Sequence, residues 1–369
     1  MNTPIVAFKG DHGDIGLEHG RKLKERVKRN VSIYMDAFQE VTSLDRDEVF
    51  ARAEKVMAAC ESYSPELVEE LQGIARGAGC HVFEILAINA RLEIIYSGDV
   101  ISSSDAMAHA AEGCTSAVAL PEITTGGRTL IGQNWDWLPA MRDGLVIQKI
   151  DLNGAPRLVT MCEAGIIGKV GLNQAGIGLC ANALTADQNA LEGVPFHFMF
   201  RKALQADTLA EAIGAIGTAP RAGGINALLA RDGEALNLET SPVDIQIVYP
   251  DRGIIAHSNN FQSLNPRFRD AQFFLSPFPS TFMRWRRVDK IMREKSGDIN
   301  ERTFMTAFAD HFDYPLSVCW HPNPKLSGAR QRITAASLIM DLNARAMWFT
   351  DDYPCQGKYE RLDFSDFLR

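Results

Sequence analysis

Hydrophobic periodicity switches at Cys114, and no other feature of the chain constrains its fold as much. Upstream, apolar residues recur at helical spacing over 14–37, over 46–61, from Ser64-Pro65-Glu66 through Leu67, Leu71, Ile74 and Ala75, and from Val82 to Leu92. A Ser followed by Pro marks a helix start, and Gly77 and Gly79 supply the stop. The Lys and Arg side chains interleaved through the first segment read as a solvated face. Downstream the apolar runs shorten to strand length. Residues 115–120 and 128–132 flank Thr124-Thr125-Gly126-Gly127 as a hairpin, and strands are expected over 144–152, 157–163, 166–172 and 176–181. Helices follow at 195–205 and 208–216, the second opening with Thr208 and Glu211 at capping-box spacing. Strands return at 225–230, 235–240, 245–249 and 253–258, then helices at 281–294 and 302–311, and a last hairpin over 333–340 and 344–350. This order predicts an α+β fold in one domain, with two antiparallel sheets carrying helices on their outer faces.

Composition narrows the function. The 369 residues carry 23% charged side chains and a net charge of -8. That is an ordinary globular balance, and without a basic stripe it argues against a nucleic-acid partner. No run approaches the ~20 apolar residues of a membrane span. The first residues meet charge at Lys9 and Asp11 without a signal-peptide apolar core, so the expected location is cytoplasmic, with no membrane partner. Seven cysteines at wide spacing, with no CxxC pair, argue against both a disulfide framework and a zinc site. No metal or cofactor is expected. Gly165-Ile166-Ile167-Gly168-Lys169-Val170-Gly171 is not a phosphate loop, because Val follows the Lys and the glycine spacing is wrong; a glycine-rich hairpin fits better. Asn173 and Asn182 fit turns as well as a pocket lining, and Phe196, His197, Phe198 and Phe200 read as core or pocket wall.

Cys114 follows Gly113 and opens a strand, with Asp136 on the adjacent hairpin arm in Gln133-Asn134-Trp135-Asp136. Alone, Gly-Cys reads as a turn before a buried cysteine. The segment Glu112-Gly113-Cys114-Thr115-Ser116-Ala117-Val118-Ala119-Leu120, together with Gly132-Gln133-Asn134-Trp135-Asp136, resembles the cleavage region of the acyl-CoA:6-aminopenicillanic acid acyltransferase (isopenicillin N acyltransferase) family of N-terminal nucleophile hydrolases. The resemblance extends to Asp14-Ile15-Gly16-Leu17-Glu18-His19-Gly20, to Gly73-Ile74-Ala75-Arg76-Gly77-Ala78, to the run from Glu163 to Gly171, to Gly193-Val194-Pro195 and to His257-Ser258-Asn259.

The resemblance implies a four-layer αββα sandwich and an inactive precursor that cuts itself between Gly113 and Cys114. Residues 1–113 would become an α chain, residues 114–369 a β chain, and the two would remain a heterodimer; a homo-oligomer is compatible with this. Cys114 would then be both nucleophile and N-terminal base, so no His is required. Asp136 would orient or activate the Cys114 amine and thiol, and Asn259 would donate to the oxyanion. Without the resemblance, Asp136 reads as a cap or a strand-end ion pair, and Asn259 as a turn residue. Thr115, Asn134, Arg330 and Arg332 are candidates for binding substrate. The family places an Arg where this chain has Gln331, between two other arginines. The implied substrate is a small amide or acyl thioester, acyl-CoA among the candidates, with amide hydrolysis favoured over penicillin synthesis. The alternative is a catalytically idle, ligand-binding member of the same fold.

Overall fold

The computed structural model describes residues 1–97, 113–186, 191–263 and 279–369. The end of the helical leader and Glu112 of the motif lie outside them. Among the described residues, six helices precede the period switch: α1 (His12–Lys22), α2 (Lys24–Thr42), α3 (Arg46–Tyr63), α4 (Pro65–Ala78), α5 (Val82–Asn89) and α6 (Arg91–Ile95). The single helix expected over 14–37 is two, because Leu23 leaves helical geometry at φ -113°, ψ 20°. Pro65 does stand at the helix start, but the Ser64 hydroxyl donates to Glu66 (3.0 Å) instead of capping the backbone. Thr208 and Glu211 form the expected capping box.

The strands form two sheets. One contains β1 (Ile5–Gly10), β4 (Leu145–Leu152), β5 (Leu158–Glu163), β6 (Val170–Asn173), β7 (Gly178–Leu184), β8 (Gly224–Arg231), β9 (Glu234–Thr240) and β10 (Ile245–Val248), in that order. The other runs β11 (Ile254–His257), β2 (Gly113–Ala119), β3 (Leu130–Trp137), β12 (Ile333–Asp341), β13 (Ala346–Thr350) and β14 (Glu360–Asp363). Antiparallel pairing holds with one correction: β1, a strand not expected from sequence, lies parallel to β4 at the edge. Six residues, with Lys9 and Gly10 at their end, are too short for periodicity to announce a strand.

β2 and β3 pack on β7 and β8, so the sheets stack face to face. Outside the larger sheet, α1 covers β1 and β4, while α7 (Phe196–Leu204) and α8 (Leu209–Gly217) cover β6 to β8. Outside the smaller sheet, α9 (Thr281–Arg293) lies on β11 and β2, and α10 (Glu301–Phe308) on β3 and β12. The result is the αββα sandwich. Among the described residues, no helix is long and apolar enough to cross a membrane.

Two glycine motifs explain one helix pair. A Cβ at Gly16 would stand 2.0 Å from the Glu70 carbonyl oxygen, and one at Gly77 would stand 2.4 Å from that of Leu17. The α1 and α4 backbones therefore touch, which only glycine permits. Gly77 lies inside the helix for this reason, and Gly79, at φ 69°, ends it.

Candidate active site

Strand alternation divides the surroundings of Cys114. In the antiparallel β2–β3 register Gly113 faces Asp136, Cys114 faces Trp135, and Thr115 faces Asn134. Opposed residues share a sheet face and successive ones alternate. The Cys114 side chain, 2% exposed, belongs to the core between the sheets. There the Gln133 amide donates toward Sγ at 3.9 Å, while its Oε1 accepts from the Ala181 N–H of β7 at 2.7 Å. One step along, the Ser116 hydroxyl donates to Asn182 (2.7 Å), which also accepts from Asn226 (3.0 Å). Asn182 thus lies between the sheets, whereas Asn173 donates to the Leu204 and Ala206 carbonyls and is structural.

The opposite face meets α9 and carries charge. A Cβ on Gly113 would lie 2.9 Å from the Asp136 Cβ and 3.1 Å from the Trp320 ring, so glycine leaves room for the carboxylate against the Gly113–Cys114 peptide. Asp136 Oδ1 accepts from the Thr334 hydroxyl at 2.6 Å, and Oδ2 lies 3.8 Å from Arg284. Buried Arg284 donates to the Cys114 carbonyl (2.7 Å), the Thr115 hydroxyl (2.8 Å) and Asn259 Oδ1 (2.7 Å). Asn259 Oδ1 also accepts the Cys114 backbone N–H at 2.9 Å. Two donors facing the same atom fix the amide orientation, since the alternative flip would set donor against donor. Asn259 Nδ2 is left to donate to the Ala183 carbonyl at 3.0 Å. Burial pulls the Arg284 guanidinium below its ordinary value, while Asp136 and Cys114 work in the other direction.

The structure therefore brings Gly113, Cys114, Thr115, Asp136 and Asn259 together, and separates the other candidates. Asn134 spends its amide on the Phe308 and Val318 carbonyls (2.8 and 2.9 Å), which ties α10 to the sheet. Arg330 is exposed. Arg332 is buried over the Trp137 ring at 4.8 Å, two residues along β3 from Trp135 and on its face. Gln331 pins its own loop, donating to the Asn323 and Leu326 carbonyls. Sequence reasoning missed Arg284, which sits in Arg284-Trp285-Arg286-Arg287 and looks like one more cation on an exposed helix. It also passed over Gln133, although that residue lies inside the quoted motif.

The turn from Glu163 to Lys169 is held largely from the helical leader. Asn30 donates to the Gly144 and Ala164 carbonyls, Asn89 donates to Gly165 and accepts from Ile167, and the Gly165 N–H donates to His19 Nε2 at 2.9 Å. Buried Glu163 accepts from Tyr34 at 2.6 Å and pairs with Arg91 at 3.3 Å and Lys169 at 3.7 Å. Lys169 in turn rests 3.9 Å over the ring of Trp135, the residue opposite Cys114. As expected, this run is a glycine turn between β5 and β6, with Gly165 at φ 98°.

Comparison with known proteins identifies the family. Residues 123–354, well over half of the chain, match the model of the acyl-coenzyme A:6-aminopenicillanic acid acyl-transferase family. The chain belongs to this family. The match includes Asp136 and Asn259 and begins after Cys114. A relative from Emericella nidulans, the acyl-coenzyme A:6-aminopenicillanic-acid-acyltransferase 40 kDa form, is 29% identical over 320 residues, covering 85% of this chain and 84% of its own. Among solved structures, a conjugated bile acid hydrolase variant from Clostridium perfringens aligns at 12% identity and TM-score 0.48, over 68% of this chain and 93% of its own. Penicillin V acylase from Agrobacterium tumefaciens aligns at 13% identity and TM-score 0.46, over 69% and 88%. As a member of the acyl-transferase family, the chain is an enzyme of the acyl-transferring class.

Burial pushes the thiols of Cys60, Cys162 and Cys180 up, which keeps them protonated and inert. The sequence spacing argued against a zinc site, yet folding brings His311, Cys319, His321 and Cys355 into one cluster.

Proposed function

We propose that this chain is a self-cleaving precursor whose Cys114 becomes an N-terminal nucleophile for amide hydrolysis or acyl transfer. The Cys114 thiol attacks the Gly113 carbonyl carbon, the Gly113–Cys114 C–N bond breaks, and the departing amine takes up the thiol proton. Water then hydrolyses the resulting thioester and releases Gly113 as a carboxylate. The observation that carries this reading is the surroundings of the scissile peptide: Asp136 against Gly113, and the Cys114 N–H on an Asn259 oxygen held by Arg284.

After cleavage the Cys114 amine, with a reference pKa of about 7.7–8.0, serves as base for its own thiol. Asp136, which stands on the amine side of the strand, acts on that amine and not directly on Sγ. The thiol attacks an amide or thioester carbonyl, the leaving amine or thiol takes the proton, and the acyl group stays on Sγ until water or an amine removes it. Asn259 Nδ2 carries two hydrogens, of which Ala183 takes one, and the second serves the oxyanion. Buried Arg332, beyond Trp137, is the better candidate for the substrate-side cation than exposed Arg330. The leader stays bound as the α chain, because its Asn30, Asn89 and His19 side chains fill hydrogen-bonding positions at the 163–169 turn. The favoured substrates are N-acyl amino compounds and linear amides.

N-terminal sequencing and intact mass test this. Wild-type protein should yield a chain beginning at Cys114, and Cys114→Ala should remain one 40.7 kDa chain without activity. Wild-type protein that stays intact after prolonged incubation, with no turnover of N-acyl amides or acyl thioesters, overturns the proposal in favour of an idle binding protein.

A further inference from the structure

The cluster of His311, Cys319, His321 and Cys355 stands apart from the acyl-transfer chemistry and has its own geometry. His311 follows α10, Cys319 and His321 flank Trp320 in the segment before β12, and Cys355 follows β13. Their four donor atoms all lie within 4.8 Å of one another. His321 Nε2 is 3.1 Å from His311 Nε2, 3.5 Å from Cys319 Sγ and 3.4 Å from Cys355 Sγ. Hydrogen bonding does not satisfy that arrangement. A neutral imidazole nitrogen offers either one proton or one lone pair, and here it faces a second imidazole nitrogen and two thiols together. A cation among them resolves the conflict, because all four atoms then turn lone pairs to one point.

We propose that these four residues bind one zinc ion as a closed structural site. Zinc–nitrogen lengths of about 2.0–2.1 Å and zinc–sulfur lengths of about 2.3 Å give a tetrahedron with N···N edges of about 3.3 Å and N···S edges of about 3.5 Å. The three distances from His321 Nε2 lie close to those edges, and the remaining pairs lie within 4.8 Å, near enough to close on one ion. Two thiolates and two neutral imidazoles leave no position open for substrate or water, and binding releases the two thiol protons to solvent. The His321 ring stacks on Tyr353 at 4.4 Å, with Arg142 on the tyrosine, which fixes the direction of its lone pair.

The ion fastens together three chain segments around Trp320. Trp320 lies between two ligands, its backbone N–H donates to the Thr334 hydroxyl that holds Asp136, and its ring lies against Gly113 and Arg284. Zinc therefore secures the wall beside the scissile peptide without touching the reacting atoms.

The test uses the full chain, purified without chelator and reconstituted with zinc alone. One zinc per chain is expected by elemental mass analysis, and cobalt in its place should show tetrahedral d–d bands with a thiolate-to-cobalt charge-transfer band. Cys355→Ser and His311→Ala lie at the surface, where folding should survive, and each should weaken zinc retention against a competing chelator by more than about 100-fold. Cys80→Ser, outside the cluster, should retain zinc as wild type does. Wild-type chain that binds no zinc, cobalt without the charge-transfer band, or an intact mass two hydrogens light from a Cys319–Cys355 disulfide would each overturn the proposal.

Discussion

The two faces of β2 at Gly113 and Cys114 differ in kind. Toward α9 lie a carboxylate, a guanidinium and an oriented amide; toward the second sheet the thiol meets a neutral glutamine and a row of neutral side chains. Charge is thus densest beside the peptide bond, while the side chains that hydrogen-bond around the sulfur are neutral. The contrast teaches a division of labour. Under the proposed mechanism, the helix side handles the amine and the carbonyl, and the sheet side shelters the acyl group carried on Sγ.

Mutations on each face test that division. The largest effect should come from Asp136→Asn, which removes the charge beside the peptide and slows appearance of the Cys114 terminus by about 10²–10⁴-fold; a time course by mass spectrometry measures it. Cleavage at the wild-type rate would break the comparison. Arg284→Met should cost about 3–5 kcal/mol in urea unfolding, because it takes a buried charged donor from the Cys114 carbonyl and Asn259 and weakens the pairing of buried Asp136.

A control lies away from both faces, in the leader. Burial holds His19 neutral, with its pKa lowered to about 4. The unfolded chain takes up this proton below about 6.5 and the folded chain does not, so stability falls as pH drops from about 6.5 toward 4 and levels off below that. The full loss is roughly 3 kcal/mol. Wild-type protein should lose that much more than His19→Gln between pH 7 and pH 4 in chemical denaturation, with cleavage at pH 7 nearly unchanged in the variant.

The smallest effect should come from Gln133→Leu on the sheet side. It strands the Ala181 N–H at a cost of about 1–3 kcal/mol, yet cleavage should stay far closer to wild type than in Asp136→Asn. Equal damage from the two variants would erase the distinction between the faces.

Much of the fold is legible in the chain because it is local. The capping box at Thr208, the glycine turn after Glu163 and the helix stop at Gly79 each depend on a few neighbouring residues. The exceptions have identifiable causes. Ser64 has a nearer partner in Glu66 than its helix backbone, and β1 is an edge strand supported on one side by β4. The candidate site is half legible. Cys114, Asp136 and Asn259 stand in recognisable motifs, whereas Arg284 looks like every other arginine of its helix until the helix is laid across β2. Asn134, two residues from Asp136 and on the same face, is spent on backbone carbonyls, and no local pattern separates the two.

The sequence by itself determined where the period switches, which cysteine opens the first strand after it, and therefore the order of helices and strands. Only the tertiary structure decided which charges meet the Gly113–Cys114 peptide and which four residues converge around His321. The physical reason is range. Periodicity records the geometry of adjacent turns and pleats, but Asn259 reaches Cys114 across 145 residues, Arg284 across 170, and Cys355 reaches His321 across 34. Contacts of that kind are set by how the layers stack, and stacking leaves no period in the chain.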